Sequence, residues 1–145
     1  NRYRVSSEAL CRRIVKGLGI YRINTLVDLI NLVSIGSGYA IGGFDADKIS
    51  GDSVTLGIGE ADGLCEGIGR GLLNVDGLPL YRDELGGIGS PTSDVERTKI
   101  TLETTKLQMQ INAFGEEMPL RDTIEWSVEL LEKYANAKNF EIEIF

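Results

Sequence analysis

Three groups of residues in this chain have the types and spacing for chemistry. Asn24, Asp28 and Asn31 recur at i, i+4 and i+7, which places them along one side of a helix. Gly42-Gly43 and Gly86-Gly87 are glycine pairs whose backbone N–H groups, if turned toward a cavity, would hold a carboxylate or polarise a carbonyl without any side-chain base. Asp94 and Glu96 follow the second pair closely, and either would orient water or accept an amino group. Each feature also has a plain structural explanation. The amides and acid would cap a helix and bind neighbouring loops, and the glycines would permit turns.

The stripe sits in an apolar helix. Wound at 3.6 residues per turn, Thr25 to Val33 gathers Leu26, Leu29, Ile30 and Val33 into a wide oily face. Its polar side holds short amides and a carboxylate where a surface helix would carry Lys and Glu. Such groups favour a polar cavity or a fixed partner over bulk water. Gly36-Ser37-Gly38 ends the helix, Tyr39-Ala40-Ile41 is expected as a strand, and Gly42-Gly43-Phe44-Asp45 as a tight bend.

The other elements follow from pattern. Ser6-Ser7-Glu8 offers a capped helix start, with Leu10, Ile14 and Leu18 on one face and Gly17 and Gly19 as the stop. Val54, Leu56 and Ile58 alternate as in a half-buried strand. Gly59 to Gly71 is acidic and glycine-rich, irregular or a hairpin. Asp76-Gly77, between Leu72–Val75 and Leu78–Tyr81, signals a hairpin turn. Leu85 to Pro91 is expected as a loop, and Thr101 to Thr104 as a short helix start. Leu107 to Phe114 alternates as a strand that is polar on one face. Pro119 opens a last helix running to about Ala137, with Leu120, Ile124, Val128, Leu131 and Tyr134 as its stripe and Trp126 to one side. Glu141 to Phe145 has the alternation of a terminal strand. Helices at both ends of a mostly antiparallel sheet or sandwich predict a layered α+β fold, in one domain over residues 1–145. The first residue is Asn rather than Met, so the chain is expected to be a fragment lacking an amino-terminal segment.

Composition narrows function. The 145 residues carry a net charge of −7 and no histidine. Binding a nucleic acid mainly through phosphates needs a basic surface. This chain has only a local group, Arg12, Arg13, Lys16 and Arg22, and no DNA partner is expected. Without histidine it lacks the side chain best suited to acid–base work near neutrality and the commonest metal ligand. Cys11 and Cys65 form no CxxC pair, so free thiols in a reducing, cytoplasmic compartment are expected. No apolar run approaches a bilayer's width. GxGxxG and GxxxxGK[ST] are both absent. Asp45-Ala46-Asp47 begins like a calcium loop, but Ile49, Ser50 and Leu56 occupy positions needing a ligand, a glycine and the final acid. Neither a cofactor nor a metal is expected. Asp83, Glu84, Glu116 and Glu117 are expected on a solvated surface.

The run INTLVDLINLVS, with Gly42-Gly43-Phe44-Asp45 at a fixed distance, resembles the tRNA-editing core module (B3/B4-type domain) of the phenylalanyl-tRNA synthetase beta subunit. It resembles most the stand-alone proteins that carry this module without the synthetase. The likeness continues through Gly51-Asp52 and Glu96-Arg97-Thr98-Lys99, covering roughly Tyr3 to Phe114. It implies hydrolysis of a tyrosyl ester wrongly attached to the phenylalanine tRNA, with water attacking a carbonyl held by loop amides and the substrate's ribose hydroxyl assisting. Asn31 matches an asparagine of the editing pocket. Gly42 stands where the module usually has a histidine. Asp94 is the nearest counterpart of the pocket's acid, with Glu96 the alternative. The expected activity is therefore aminoacyl-tRNA deacylation, with Asp94 or Glu96 catalytic and Asn31, Gly42, Gly43, Gly86 and Gly87 binding substrate. The expected partner is an aminoacyl-tRNA or a free amino acid. The acidic charge and missing histidine favour a competing expectation, a non-catalytic module that binds an amino acid or small metabolite. A third is a structural domain that docks on a partner.

Overall fold

A computed structural model of the chain describes residues 4–61, 63–115 and 118–145. Its elements are helices α1 (Ser6–Val15), α2 (Thr25–Ser37) and α3 (Leu120–Ala135), with strands β1 (Ala40–Asp45), β2 (Thr55–Ile58), β3 (Leu64–Gly67), β4 (Gly71–Asn74), β5 (Pro79–Asp83), β6 (Gly86–Ser90), β7 (Ser93–Asp94) and β8 (Leu107–Asn112). All described pairings are antiparallel, and the fold is α+β. β1 pairs with β8, β3 with β4, and the third sheet runs β2-β5-β6-β7. No helix among the described residues is long and apolar enough to cross a membrane.

Two packed layers meet at the β1–β8 ribbon. In register, Ile41, Gly43, Met109 and Ile111 share one face, and Gly42, Phe44, Gln108 and Gln110 share the other. The first face packs under α2 and α3 through Ile30, Val33, Ile100, Trp126 and Leu130. The second faces the four-stranded sheet, where Phe44 and Ile88 are fully buried and the Phe44 and Tyr81 rings meet edge-on at 6.4 Å. Asp83, at the end of β5, locks that sheet to its surroundings. It accepts both Arg97 Nη atoms at 2.8 Å and the N–H groups of Ser50 and Leu85.

Several sequence expectations are corrected here. Val5, not a serine hydroxyl, is the N-cap of α1, and Ser7 is buried. Helix α2 continues past Val33 to Ser37, where Gly38 closes it at φ 81°. Gly42-Gly43 is not a bend. It lies within β1, because Gly43 brings the strand against Ile30 and Ile100, whose Cδ1 atoms would stand 2.4 and 2.9 Å from an added Cβ. Asp76-Gly77 is a turn, with Gly77 at φ 69°, but it joins no hairpin. β4 turns back on β3 around Ile68–Arg70, and β5 pairs with β2 and β6. Local turn chemistry set the bend, and tertiary pairing chose the partners.

The expected loop at Leu85–Pro91 is largely β6, its glycines fitting beneath Phe44 and Cys65. Thr101–Thr104 is a turn held by Thr104 Oγ1, and the short helical turn falls earlier, at Glu96–Thr98. The buried face of α3 is Thr123, Ser127 and Leu131, with Trp126 in the core cluster and Tyr134 exposed. Small hydroxyl residues, invisible to an apolar stripe, let α3 approach α2 and bond their own i−4 carbonyls. Among the described residues, 141–145 have no strand partner. The Asp83 side chain is enclosed rather than solvated, whereas Glu84 is exposed. Tyr3, Asp62, Glu116 and Glu117 lie outside the described residues.

Candidate functional site

The site is built around Asp94. Strand β7 ends there, and its carboxylate accepts the Gly43 N–H, a donor on the edge of β1 away from β8. Oδ1 would stand 3.4 Å from a Cβ added at Gly42 and 2.9 Å from one added at Gly89, whose other neighbour is Phe44. Two hydrogen-for-side-chain positions thus make the slot the carboxylate fills. The residue as a whole keeps partial exposure, but its carboxyl sits among strands and an aromatic ring. Burial pushes that carboxyl up to about 7, and the Gly43 N–H only partly opposes it. A carboxyl divided between its two forms near neutrality can both take and return a proton.

Beside it lies a polar layer that sequence reasoning passed over. Asn112 is buried. Its Nδ2 donates to the Ala40 carbonyl at 2.9 Å and its Oδ1 accepts from the Tyr81 hydroxyl. Gln110, paired with Gly42, lies on the ribbon face that Asp94 approaches, and its Oε1 is buried with no hydrogen-bond partner. The signal was present, since the polar face of β8 carries Gln and Asn rather than Lys and Glu. Alternation alone cannot tell water from a second sheet, so a polar strand face does not by itself mark a site.

Asp94 also lines a cavity of about 80 Å³ between the β3–β4 hairpin and β6–β7, with Cys65, Arg70, Leu73, Leu80 and Ser93. Arg70 Nη1 donates to Ser93 Oγ at 3.0 Å. Burial raises the Cys65 thiol, Arg82 and Arg97 opposing, so it is a poor nucleophile. Among the described residues no group of three His, Cys, Asp or Glu is arranged to hold a metal.

The expected site residues are only partly gathered. Gly42 and Gly43 touch Asp94, but Gly43 gives it its N–H and Gly42 sits in the β8 ladder, so neither amide faces the cavity. Gly86 supplies a φ of 126° at the start of β6, and Gly87 lets Cys65 Sγ approach to 2.6 Å of a would-be Cβ. Glu96 is ion-paired to Lys99 one turn on, away from Asp94's slot. In the stripe, Asn24 Oδ1 caps α2 at the Val27 N–H and Asp28 Oδ1 accepts from Ile23 N–H, the plain helix-capping role. Asn31 is partly buried with no side-chain partner among the described residues. It lies on α2, which covers the ribbon face opposite Asp94.

The B3/4 domain model matches residues 1–124, and the chain belongs to that family. That domain belongs to the editing module of the phenylalanyl-tRNA synthetase beta subunit, to which this chain is therefore related. No curated protein matches the chain.

Proposed function

We propose that this domain hydrolyses the ester of a mischarged aminoacyl-tRNA, acting in trans in the reducing cytoplasm, with Asp94 as its acid–base group. The observation that carries this reading is one enclosed carboxyl, raised to about 7, in a slot bounded by Gly42 and Gly89 beside a cavity. Water attacks the ester carbonyl and gives its proton to the Asp94 carboxylate. The carbon–oxygen bond to the ribose breaks, and the ribose oxygen takes that proton back. Free amino acid and uncharged tRNA leave. Gly42 and Gly43 keep the slot open, and Gly86 and Gly87 set β6 beneath it. Glu96 is retained as the alternative acid. The test is release of labelled amino acid from tRNAs mischarged with tyrosine and with smaller residues. Asp94→Asn should lower the rate about 100-fold or more, and Glu96→Gln should leave it nearly unchanged. Wild-type release no faster than in buffer sinks the proposal.

A second reading, a non-catalytic amino-acid-binding module, is favoured by the cavity's size. At about 80 Å³ it takes a small side chain rather than a ligand needing several hundred Å³. It predicts thermal stabilisation by a free amino acid without turnover.

A further inference from the structure

The outer edge of β2 and the segment Phe140–Phe145 fit one another, and we infer that this segment of one copy adds as a strand to β2 of a second copy. β2 is the outermost strand of the four-stranded sheet. Its sequence, Thr55-Leu56-Gly57-Ile58, carries no lysine, proline or inward charge of the kind that blunts a free edge. Leu56 and Ile58 share a face and are 54% and 61% exposed, so an apolar row runs along that edge. The opposite face holds Gly57, over which the Arg82 guanidinium lies, with Nη1 4.0 Å from a would-be Cβ. Gly59 N–H donates to Leu78 on the β5 side, so the Ile58 carbonyl one residue earlier points outward. Arg82 Nη2 donates to it at 2.8 Å. A cation therefore stands at the rim, ion-paired among the described residues with Glu60 at 3.8 Å, itself 84% exposed.

Phe140-Glu141-Ile142-Glu143-Ile144-Phe145 has the complementary pattern. Asn136 and Asn139 take positive φ, 52° and 60°, and turn the chain out of α3 into a segment without a sheet partner. Ile142 and Ile144 are 55% and 58% exposed, a strand alternation with no sheet beneath it. Laid along β2, Phe140, Ile142 and Ile144 extend the Leu56/Ile58 row, while Glu141 and Glu143 fall on the Arg82 face. Main-chain bonds to the outward groups of β2 other than the Ile58 carbonyl, which Arg82 holds, supply affinity, and the alternation and the charge pair supply register. Reciprocal exchange between two copies gives a twofold dimer. This association is independent of the hydrolytic reading.

Sedimentation velocity of the full chain over a concentration series tests it. A concentration-dependent dimer is expected. Ile142→Lys with Ile144→Lys should raise its dissociation constant about tenfold or more with unchanged thermal stability, since both side chains are exposed. Arg82→Glu should weaken the dimer, and adding Glu141→Lys with Glu143→Lys should restore it. A peptide of residues 138–145 in excess should convert dimer to monomer. A monomer at the highest soluble concentration overturns the inference, as does a dimer indifferent to the tail substitutions and the peptide.

Discussion

Asp94 and Asp83 show how differently two aspartates of one sheet respond to pH. The Asp94 carboxyl titrates near 7 in the folded chain against 3.8 unfolded, so the native state binds the extra proton between those values. Its contribution is whole below about 4 and is lost as pH rises through about 7. The interval corresponds to at most about 4 kcal/mol, and partial exposure reduces it to about 2 kcal/mol. Asp94→Asn, which keeps an acceptor for Gly43, should match wild type below pH 4 and exceed it above pH 7, by about 4–8 °C in melting temperature. A variant losing activity while gaining stability at pH 8 marks a functional strain rather than a structural prop. Asp83 behaves oppositely. The bonds from Arg97 hold it at about 2, so its contribution is present above 3.8 and vanishes as pH falls through about 2. Asp83→Ala leaves Arg97 and two N–H groups unmatched and should cost about 2–4 kcal/mol at pH 7, read from urea midpoints. Asn31→Ala removes no hydrogen bond seen in the fold. An unchanged melting temperature and an unchanged KM are the expected result, since α2 covers the ribbon face opposite Asp94.

At the scale of elements, glycine decides how closely neighbours come. A Cβ at Gly59 would lie 1.8 Å from the Val75 carbonyl oxygen, a backbone atom that no rotamer change can move. Gly59→Ala should therefore cost about 3 kcal/mol or more and detach the β2–β5 end. Gly36→Ala is a finer contest. Alanine favours a helix by about 1 kcal/mol over glycine, but the new methyl would stand 2.6 Å from Trp126 Cη2. Overpacking against a core ring costs about 1–3 kcal/mol, so the net change is a loss, checked by thermal melts. The same principle accounts for β6 and for the Gly42-Gly43 half of β1. Glycine doublets mark turns when judged locally, whereas here they are strand positions pressed by Phe44, Ile30 and Cys65.

At the scale of the molecule, charge limits any encounter with tRNA. Between Ala9 and Val27 the chain has four cations and no acid, but Arg12 is held by Glu8 and Arg13 stacks on Tyr21, 3.7 Å from the ring centroid, while donating to its hydroxyl. Lys16 and Arg22 remain for phosphates. About two contacts give a shallow fall of log affinity with log salt, a slope near −1.5, measurable by filter binding. A slope of −5 would show a broader basic surface than these four cations supply.

The sequence by itself determined the α+β class, the apolar α2, the strand β8 and the family, because these rest on local periodicity and on residues kept in order along the chain. It also offered Asp94, with Glu96 as the alternative. Only the tertiary structure decided that Asp94 is enclosed while Glu96 is ion-paired, that Asn24 and Asp28 are caps, and that Gln110 and Asn112 face a second sheet instead of water. Burial, and with it a carboxyl raised toward neutrality, depends on which distant strands lie against a residue. No spacing along the chain encodes that, since Gly43, Gly89 and Asp94 meet only once β1, β6 and β7 have packed.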